Sequence, residues 1–229
     1  MALLSICPIL GSEGPLSQSD CYPVEGMATS SMALFEETGA YLHGHFRLTS
    51  GLHSGEYLQC AKVLAHPQYA ERLGRALSEK IKSLLDGAAI DVVNGSGIDV
   101  VVSPAMGGII IGHEVARALG ARSLFTERDA ATNTMTLRRG FEILPGERAV
   151  IIEDVITTGG STREVVDTVS ATGAKVLAAG SIIDRSGGRA DVGVPRVALE
   201  TLEAVAYQPE ECPLCRQGLP LVKPGSRRT

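Results

Sequence analysis

The sequence predicts an α/β fold in which a doubly wound, mostly parallel sheet is flanked by helices. Between residues 66 and 184, short aliphatic segments alternate with amphipathic segments of helical periodicity. The aliphatic segments are apolar on nearly every residue, which is typical of parallel strands buried on both faces. The composition agrees, because 44% of the residues are hydrophobic, only 4% are aromatic, and there are 26 glycines. Alternation of this kind places helices on both sides of one sheet.

The length of 229 residues favours one domain with small appendages. Residues 1–30 are rich in Ser, Gly and Pro and are predicted to be a disordered extension. No Lys or Arg precedes their apolar start, which argues against a secretory signal or a mitochondrial presequence. We expect the folded domain over residues 31–215 and an irregular tail over residues 216–229.

Charge, hydropathy and cysteine usage exclude several classes of protein. The formal net charge of −5 gives no support to a nucleic-acid partner, which a basic face would attract. No apolar run approaches the ~20 residues of a membrane span, so no membrane partner is expected. The five cysteines are odd in number and scattered, which favours a reducing cytoplasm over a disulfide framework.

The first elements are predicted to be short and to precede a long helix. A helix is expected over Met32–Leu42, followed by extended segments at His45–Thr49 and Glu56–Cys60 around a Ser-Gly turn. The long helix begins at Pro67, which suits a first turn, and ends at Gly87. Its apolar residues recur at spacings of three or four, namely Ala70, Leu73, Leu77, Ile81 and Leu84.

Strands and helices then alternate. The strands are predicted at Asp99–Ser103, Ala121–Phe125, Glu147–Glu153 and Lys175–Asp184, and the helices at Ile109–Leu119 and Ser161–Thr172. The later helix has its own start signal, because Ser161 and Glu164 have the spacing of a capping box. Gly173 ends that helix.

Cys212 and Cys215 enclose a Pro-Leu dipeptide and have the spacing of half a zinc knuckle. A structural zinc site normally has four Cys or His ligands, and the sequence contains no second knuckle. We therefore interpret the pair as two thiols near the C-terminus, with zinc binding as the alternative.

The loops that follow the strands are the expected site, because ligands of parallel sheets bind at the carboxyl ends of the strands. Three loops qualify: residues 103–108, 154–161 and 184–188. The second leads into a helix through small and hydroxyl residues: Thr157, Thr158, Gly159, Gly160 and Ser161. Backbone N–H groups and hydroxyls at a helix N-terminus favour a phosphate, and glycines let the chain approach it closely.

Glu153 and Asp154 stand at the start of that loop. Two carboxylates beside a phosphate need another partner, and sugar hydroxyls or a hard cation suit them. The alternative is structural, with one acid capping the loop and the other solvated. The order of strand, two acids, hydroxyls, glycines and helix favours the functional interpretation. The loop contains neither a Walker A sequence nor a G-x-G-x-x-G motif.

The segment Val150–Thr162, VIIEDVITTGGST, closely resembles the thirteen-residue signature of type I phosphoribosyltransferases, which bind 5-phosphoribosyl-1-pyrophosphate (PRPP). Two further segments resemble motifs of the orotate phosphoribosyltransferases in that family. Phe46–Ser54 is similar to their N-terminal Phe-x-Leu-x-Ser-Gly-x-x-Ser motif, and Ile183–Arg185 is similar to their Asp-Arg motif. The similarity covers roughly residues 32–215 and implies the type I phosphoribosyltransferase fold with a small N-terminal hood over about residues 31–65.

The resemblance implies a role for the residues of these motifs. PRPP would be bound by Glu153, Asp154, Val155, Ile156, Thr157, Thr158, Gly159, Gly160 and Ser161 and, through its pyrophosphate, by Ser103, Ala105, Met106 and Gly107. Orotate would be bound by Thr49, Tyr57, Thr157 and Arg185, of which Arg185 would pair with the carboxylate. Glu153 and Asp154 would hold the ribose hydroxyls, directly or through Mg²⁺. The catalytic residues would be Arg128, Arg138, Arg139 and Asp154.

The implied reaction transfers the ribose phosphate of PRPP to orotate and yields orotidine 5′-monophosphate and pyrophosphate, a step of pyrimidine biosynthesis. It is a displacement at the anomeric carbon through an oxocarbenium-like state, and catalysis consists mainly of positioning and charge neutralisation. The resemblance also implies a homodimer in which residues 126–139 are shared across the interface.

The sequence departs from the family pattern in that shared loop. The family's loop carries Arg, Lys and His, whereas this chain has Arg128, has Asp129 beside it in place of a lysine, and has no Lys or His in the loop. Arg138 and Arg139 are expected to supply the positive charge, with an exposed basic corner as the alternative. In the hood, Thr49 stands where the family has a lysine.

Alternatives remain open at this point. His53 is a candidate substitute contact for the missing hood lysine, or a packed histidine. A related enzyme that uses a purine or uracil would share the PRPP motif, since no local motif encodes the shape of the base pocket. A PRPP-sensing regulator without catalysis would explain the missing loop lysine, but such regulators carry a helix-turn-helix, and residues 1–30 show no pattern for one.

Overall fold

The computed structural model of the chain describes residues 30–48, 50–87, 97–203 and 205–224. Its helices are α1 (Ser31–Glu37), α2 (Cys60–Leu64), α3 (Pro67–Gly87), α4 (Gly108–Leu119), α5 (Gly160–Ser170) and α6 (Pro213–Arg216). Its strands are β1 (Tyr41–Arg47), β2 (His53–Leu58), β3 (Val100–Pro104), β4 (Arg122–Arg128), β5 (Met135–Leu137), β6 (Arg148–Ile156), β7 (Lys175–Asp184), β8 (Arg196–Thr201) and β9 (Ala206–Tyr207). Thr49 and most of the predicted N-terminal extension lie outside the described residues.

Within the described residues, six strands form the main sheet in the order β5-β4-β3-β6-β7-β8. Five of them are parallel, and β5 at one edge is antiparallel to its neighbour β4. Helices α3 and α4 cover one face of the sheet, and α5 covers the other. Strand β6 contributes to both faces, since Val150 and Ile152 pack in the cluster of α3 and α4, whereas Ile151 packs with Val165 of α5. The predicted doubly wound, mostly parallel sheet is confirmed.

Helix α3 has the predicted apolar face. Its large, fully buried side chains recur at the predicted spacing and are Leu73, Leu77, Ile81 and Leu85, and the smaller Ala70 is buried on the same face. Each such side chain contributes about 1.5–3 kcal/mol through burial. Leu84, which the pattern placed on this face, is only partly buried. Gly74 lets α3 approach α4, because a Cβ atom there would lie 2.5 Å from the Cβ atom of Glu114. None of the helices in the described ranges is both long and apolar enough to span a membrane.

A second, antiparallel sheet forms the hood, in the order β1-β2-β9. Strands β1 and β2 form a hairpin, and β9 joins it from far along the chain, with Tyr207 opposite His53. The C-terminal tail then runs along β1. The N–H of Val222 donates to the carbonyl of His45 at 2.8 Å, and the N–H of Arg47 donates to the carbonyl of Val222 at 2.8 Å. These two bonds pair backbone groups of His45 and Arg47 at the outer edge of the hood sheet.

The predicted C-terminal end of the first helix is wrong. Helix α1 stops at Glu37 rather than Leu42, which lies in β1. Gly39 has a φ of +60°, a left-handed conformation that glycine adopts readily, and the N–H of Ala40 donates back to the carbonyl of Phe35 at 2.7 Å. The chain can therefore leave the helix and enter a strand within three residues.

The capping box predicted for α5 is also wrong. The helix begins at Gly160, its N-cap is Gly159 in the left-handed region, and no side chain in the described part of the chain caps it. Strand β6 extends to Ile156, where it still pairs with β7, so the strand runs almost directly into the helix. Ser161 consequently lies inside the first turn, where its side chain is past the capping position.

Candidate active site

A cavity of about 650 Å³ lies between the hood and the carboxyl ends of β3, β6 and β7. The sheet contributes Gly107, Asp154 and Arg185 to its lining. The hood contributes Tyr57, and the C-terminal tail contributes Lys223. The volume is within the range of about 300–1,000 Å³ that small-molecule sites occupy. The predicted crevice at the strand ends is therefore present, and the tail forms part of its wall.

The two acids of β6 occupy different environments. Asp154 lines the cavity, whereas the Glu153 side chain is 8% exposed. The pKa of Glu153 lies well above its usual range, first because burial disfavours the charged form and then because the Asp154 carboxylate is adjacent. The Asp154 N–H donates to Glu153 Oε1 at 3.2 Å, and the Val155 N–H donates to Asp154 Oδ1 at 2.8 Å. Both carboxylates are thus held by the backbone, and Asp154 is the acid that a ligand meets.

The loop after β3 lies against Asp154. A Cβ atom at Gly107 would approach an Asp154 carboxylate oxygen to 2.5 Å, so any side chain at Gly107 would displace the Asp154 carboxylate. Gly107 and the exposed Met106 line the cavity, and the peptide bond between Ala105 and Met106 is cis. Ser103 points elsewhere: its Oγ atom is buried and lies 1.9 Å from the position that a Cβ atom would take at Gly112 of α4.

The predicted phosphate loop lies at the N-terminus of α5. Thr157 and Thr158 line the cavity, and the exposed Gly160 and Ser161 begin the helix. Gly159 has a φ of +85°, and a Cβ atom there would also approach Val192 to 3.1 Å. The unpaired first-turn N–H groups of this helix carry the positive end of its dipole. The loop therefore presents hydroxyls and amides where an anion can bind.

Asp184 holds the loop that carries Arg185. Its buried carboxylate accepts hydrogen bonds from the Ser186 N–H (2.7 Å) and hydroxyl (2.6 Å), the Gly188 N–H (3.2 Å) and Arg196 Nη1 (2.5 Å). Burial acts to raise the pKa of Asp184, but the bonds from Ser186 and Arg196 outweigh it, and the pKa lies below its ordinary value. Arg196 was not predicted, because nothing local in the sequence relates it to the Asp-Arg motif.

Arg185 itself is half-buried in the cavity wall. Its N–H donates to the carbonyl of Ile156 at 2.8 Å, which ties it to the end of β6. Burial lowers the pKa of its guanidinium, and the nearby Tyr57 and Glu56 act in the opposite direction. Tyr57 lines the same cavity, and burial raises the pKa of its phenol. A guanidinium and a phenol thus face the space between hood and sheet.

The segment over residues 126–139 is a hairpin rather than an open loop. Its strands β4 and β5 pair with Arg128 opposite Met135. Arg128 donates to Glu164 of α5 at 2.9 Å, and Arg139 makes two bonds of 2.8 Å to Glu127. Asp129, at the position of the usual lysine, closes the turn by accepting N–H bonds from Ala131 and Thr132, both at 3.0 Å. A lysine there could not make these bonds.

The cavity brings together part of the predicted set. The predicted residues that line it are Tyr57, Met106, Gly107, Asp154, Val155, Thr157, Thr158 and Arg185. Other predicted residues belong to the same loops and strand ends but do not line the cavity: Ser103, Ala105, Glu153, Ile156, Gly159, Gly160 and Ser161. Arg128, Arg138 and Arg139 lie on or beside the β4–β5 hairpin, outside the lining, and Thr49 is outside the described residues.

Of the ionisable residues that line the described part of the cavity, three were not predicted as site residues: Arg47, Cys60 and Lys223. Cys60 is 3% exposed, and burial followed by the charges of Asp154 and Glu153 raises the pKa of its thiol well above the usual range. Arg47 ends β1 within the predicted hood motif, a signal that could have identified it. No sequence signal places Lys223, because the tail reaches the cavity only through its pairing with β1.

The chain is similar to known proteins over most of its length. The family profile of the phosphoribosyl transferase domain matches residues 61–213. The orotate phosphoribosyltransferase of Pelotomaculum thermopropionicum is 55% identical over 197 residues, which cover 86% of this chain and 96% of that protein. The orotate phosphoribosyltransferase of Desulforamulus reducens is 50% identical over 195 residues, which cover 85% of this chain and 95% of that protein.

Solved structures resemble the fold at lower identity. The crystal structure of orotate phosphoribosyltransferase from Aeropyrum pernix has a TM-score of 0.56 at 24% identity, with 74% of this chain and 92% of that chain covered. The structure of UMP synthase from Leishmania donovani has a TM-score of 0.58 at 19% identity, with 84% of this chain and 39% of that chain covered. At these identities the likeness supports the fold.

Proposed function

The chain belongs to the phosphoribosyltransferase family, within it to the orotate phosphoribosyltransferases, and from this premise we propose how its cavity binds PRPP and orotate. The observation that carries the proposal is the position of Asp154. Its carboxylate lies in one cavity with the Gly107 loop, the two threonines before α5 and Arg185. The cavity therefore offers a suitable group to each part of the two substrates. The threonines suit the phosphate, Asp154 the sugar, the Gly107 loop the pyrophosphate and Arg185 the carboxylate of the base.

PRPP is proposed to lie along the sheet side of the cavity. The 5-phosphate binds the hydroxyls of Thr157 and Thr158 and the first amides of α5, where hydrogen-bond donors and the helix dipole favour an anion. The ribose hydroxyls meet the Asp154 carboxylate, which accepts their hydrogen bonds. The pyrophosphate lies over Gly107, where the absence of a side chain lets it approach the backbone.

Orotate is proposed to lie between Tyr57 of the hood and Arg185 of the sheet. A guanidinium pairs with a carboxylate through two parallel hydrogen bonds, and partial burial strengthens that pair. Two sets of hydrogen bonds position Arg185 for this role. Its own N–H donates to the carbonyl of Ile156, and the bonds to the Asp184 carboxylate fix the loop that follows it. The aromatic ring of Tyr57 suits the face of a planar base.

The chemical step is proposed to rely on orientation and charge. The bond from the anomeric carbon to pyrophosphate breaks and its electron pair leaves with pyrophosphate, while a ring nitrogen of orotate forms the new bond and gives its proton to the departing pyrophosphate. The negative charge of orotate is on its carboxylate, which pairs with Arg185 and does not replace this proton transfer. Arg47, Arg185 and Lys223 are the basic residues that line the described part of the cavity, and they offset the charge of the anionic substrates.

Mg²⁺ is the proposed cofactor, and the donor set fits it. Asp154 offers carboxylate oxygens inside the cavity, which are the ligands that this hard cation prefers, and Glu153 stands behind it. Asp154 would hold the ion, directly or through the ribose hydroxyls, with the buried Glu153 behind it, and the ion would supply charge neutralisation for the pyrophosphate.

We also propose a homodimer in which the β4–β5 hairpin over residues 126–139 contributes to the partner's site, with Arg128, Arg138 and Arg139 as its cations. The support is that these arginines lie outside the cavity of their own chain although the family pattern makes the loop catalytic. A cytoplasmic location is supported by Cys60, Cys212 and Cys215, which are free thiols in the described part of the chain.

Orotate consumption tests the proposal. Purified protein mixed with PRPP, Mg²⁺ and orotate should lower the absorbance of orotate, and Asp154→Asn should reduce turnover by about a hundredfold or more while the melting temperature stays near that of wild type. Asp167→Asn, on the exposed face of α5, is the control and should keep turnover. PRPP binding without loss of orotate would contradict the proposal in favour of a regulator, and turnover with another base would contradict the orotate assignment.

A further inference from the structure

Four side chains from opposite ends of the chain meet behind the hood. His45 of β1 and His53 of β2 face each other. Cys212 and Cys215, which lie at the start of α6 and within it, contact them from the C-terminal end of the chain. Their ligand atoms all lie within 4.8 Å of one another. His45 Nε2 is 3.5 Å from Cys212 Sγ, 3.6 Å from Cys215 Sγ and 3.0 Å from His53 Nδ1, and Cys215 Sγ is 3.3 Å from His53 Nδ1.

These separations are those of a tetrahedral metal site. Zinc bonds of about 2.05 Å to nitrogen and about 2.3 Å to sulfur, at tetrahedral angles, put nitrogen and sulfur about 3.6 Å apart and two nitrogens about 3.4 Å apart. The four separations agree with this geometry to within about 0.4 Å. Two thiolates and two neutral imidazoles are a common ligand set of structural zinc.

The orientation of His45 supports the same conclusion. Its Nδ1 lies 2.9 Å from the carbonyl oxygen of Leu219. A carbonyl only accepts, so Nδ1 carries the proton, and the lone pair of the neutral ring is at Nε2. Nε2 is the atom that faces the two sulfurs and His53. A backbone carbonyl that fixes the tautomer of a histidine is the usual support of a metal ligand.

Burial and charge distinguish this cluster from an accidental one. His45, His53 and Cys212 are 3%, 5% and 0% exposed, whereas Cys215 is exposed. Two thiolates would place a charge of −2 beside the buried imidazoles, and a divalent cation neutralises it. None of the four residues lines the candidate active site, and four protein ligands leave no open position. The arrangement therefore suits a structural ion and not a catalytic one.

We propose that His45, His53, Cys212 and Cys215 bind one Zn²⁺ ion that fastens the C-terminal tail to the hood. The missing second knuckle of the sequence is replaced by two histidines of the β1–β2 hairpin. The proposal does not rest on the function of the cavity, since it follows from the cluster alone.

The ion would also restrain the part of the cavity wall that the C-terminal tail provides. The tail returns from Cys215 along β1, where Val222 makes its two backbone bonds, and the next residue, Lys223, lines the cavity. Closing the tail onto the hood at the zinc site reduces the conformational freedom of this segment before it reaches Val222. Zinc removal is therefore expected to loosen the tail, and protease cleavage within residues 206–224 should become faster.

Metal content of the full chain is the direct test. Reduced wild-type protein, stripped with a chelator and dialysed against Zn²⁺, should bind about one ion per chain. Its Co²⁺ form should show the thiolate charge-transfer and d–d absorption of a tetrahedral site. X-ray absorption of the zinc form should give two nitrogen and two sulfur neighbours, a readout that needs no variant. Failure of the reduced wild type to take up zinc, or an oxygen-rich shell, would overturn the proposal.

Matched variants locate the ion. His45→Ala and Cys215→Ser should lose the Co²⁺ thiolate band and bind zinc substoichiometrically. His43→Ala, on the exposed side of the same strand, and Cys60→Ser, a buried thiol outside the cluster, should keep both signals. Zinc retained in full by His45→Ala and Cys215→Ser, or lost equally in His43→Ala, would place the ion elsewhere. Recovery of Cys212 and Cys215 as a disulfide that persists under reductant would favour a redox pair and contradict the zinc site.

Discussion

Gly107 and Asp154 are in such close contact that a single added carbon at Gly107 would lie 2.5 Å from an oxygen of the Asp154 carboxylate. The contact joins the loop after β3 to the end of β6, two loops that sequence analysis assigned separately to pyrophosphate and ribose. A side chain at Gly107 would force the Asp154 carboxylate to rotate out of place, since a carboxylate moves more easily than a backbone.

Gly107→Ala is therefore expected to reduce kcat/KM by at least about tenfold, or about 1.4 kcal/mol of transition-state stabilisation, with little loss of folding stability. Orotate absorbance measures the first quantity and thermal unfolding the second. Gly55→Ala is the matched control, because its Cβ would meet Leu214 at an ordinary 3.8 Å. Full activity in Gly107→Ala would show that the contact does not position Asp154.

Arg185→Lys should raise the KM for orotate by about tenfold or more, because a single ammonium cannot make the two parallel bonds of a guanidinium. The KM for PRPP should change much less. Arg189→Ala removes a guanidinium from the same loop, but one that is exposed and paired with Glu203, and it should leave both constants unchanged. Equal increases in both KM values for Arg185→Lys would indicate a general disturbance of the loop.

The pH dependence of the unfolding free energy should show the contribution of the Asp184 carboxylate to folding stability. Its pKa in the folded chain lies below the ordinary value of 3.8, so its contribution is present above that pH and is lost as the pH falls through the folded pKa. Asp184→Asn leaves the partly buried Arg196 without its charged partner and should cost about 3 kcal/mol of unfolding free energy at neutral pH. Urea unfolding at several pH values should show this difference shrinking below 3.8.

The control for that series is Asp167→Asn, whose side chain is 67% exposed in its ion pair with Arg163. Surface pairs contribute about 0–1 kcal/mol, so this variant should follow the wild-type curve. A constant difference between Asp184→Asn and wild type at every pH would mean that lost packing, and not the charged network, explains the cost.

Mixed dimers test the shared hairpin. Arg128→Ala and Asp154→Asn should each be nearly inactive alone. If Arg128 acts in the partner's site, random exchange of subunits in a symmetric dimer restores one intact site in half of the dimers and about a quarter of the wild-type activity. Native mass spectrometry can verify that the mixed dimers have formed. Verified mixed dimers without activity would place Arg128 in its own chain's ion pair with Glu164.

Lys223→Ala should lower kcat/KM by about tenfold, because the lysine adds positive charge to a cavity for anionic substrates. The effect should diminish as the salt concentration rises, since salt screens an exposed charge. Lys175→Ala is the control and should retain activity. Lys175 begins β7, so it lies at the amino ends of the strands, and the cavity lies at their carboxyl ends. A salt-independent loss in Lys223→Ala would indicate displacement of the tail.

The strands and helices of the core could be predicted because their signals are local. Strand β7 spans Lys175–Asp184 as predicted, and α3 begins and ends at the predicted residues Pro67 and Gly87. Boundaries failed where a glycine's backbone conformation decided them, as at Gly39 after α1 and Gly159 before α5. A sequence shows that a glycine is present, but not which φ it adopts.

By itself, the sequence determined the fold class and the family, because burial periodicity and the segment Val150–Thr162 are both contiguous patterns. Only the tertiary structure decided which parts of the chain meet. Cys212 lies 167 residues from His45, yet the pairing of the tail with the hood sheet brings them within 3.5 Å, and the same pairing places Lys223 in the cavity. Such contacts depend on strand pairing between distant segments, whose register no local periodicity specifies.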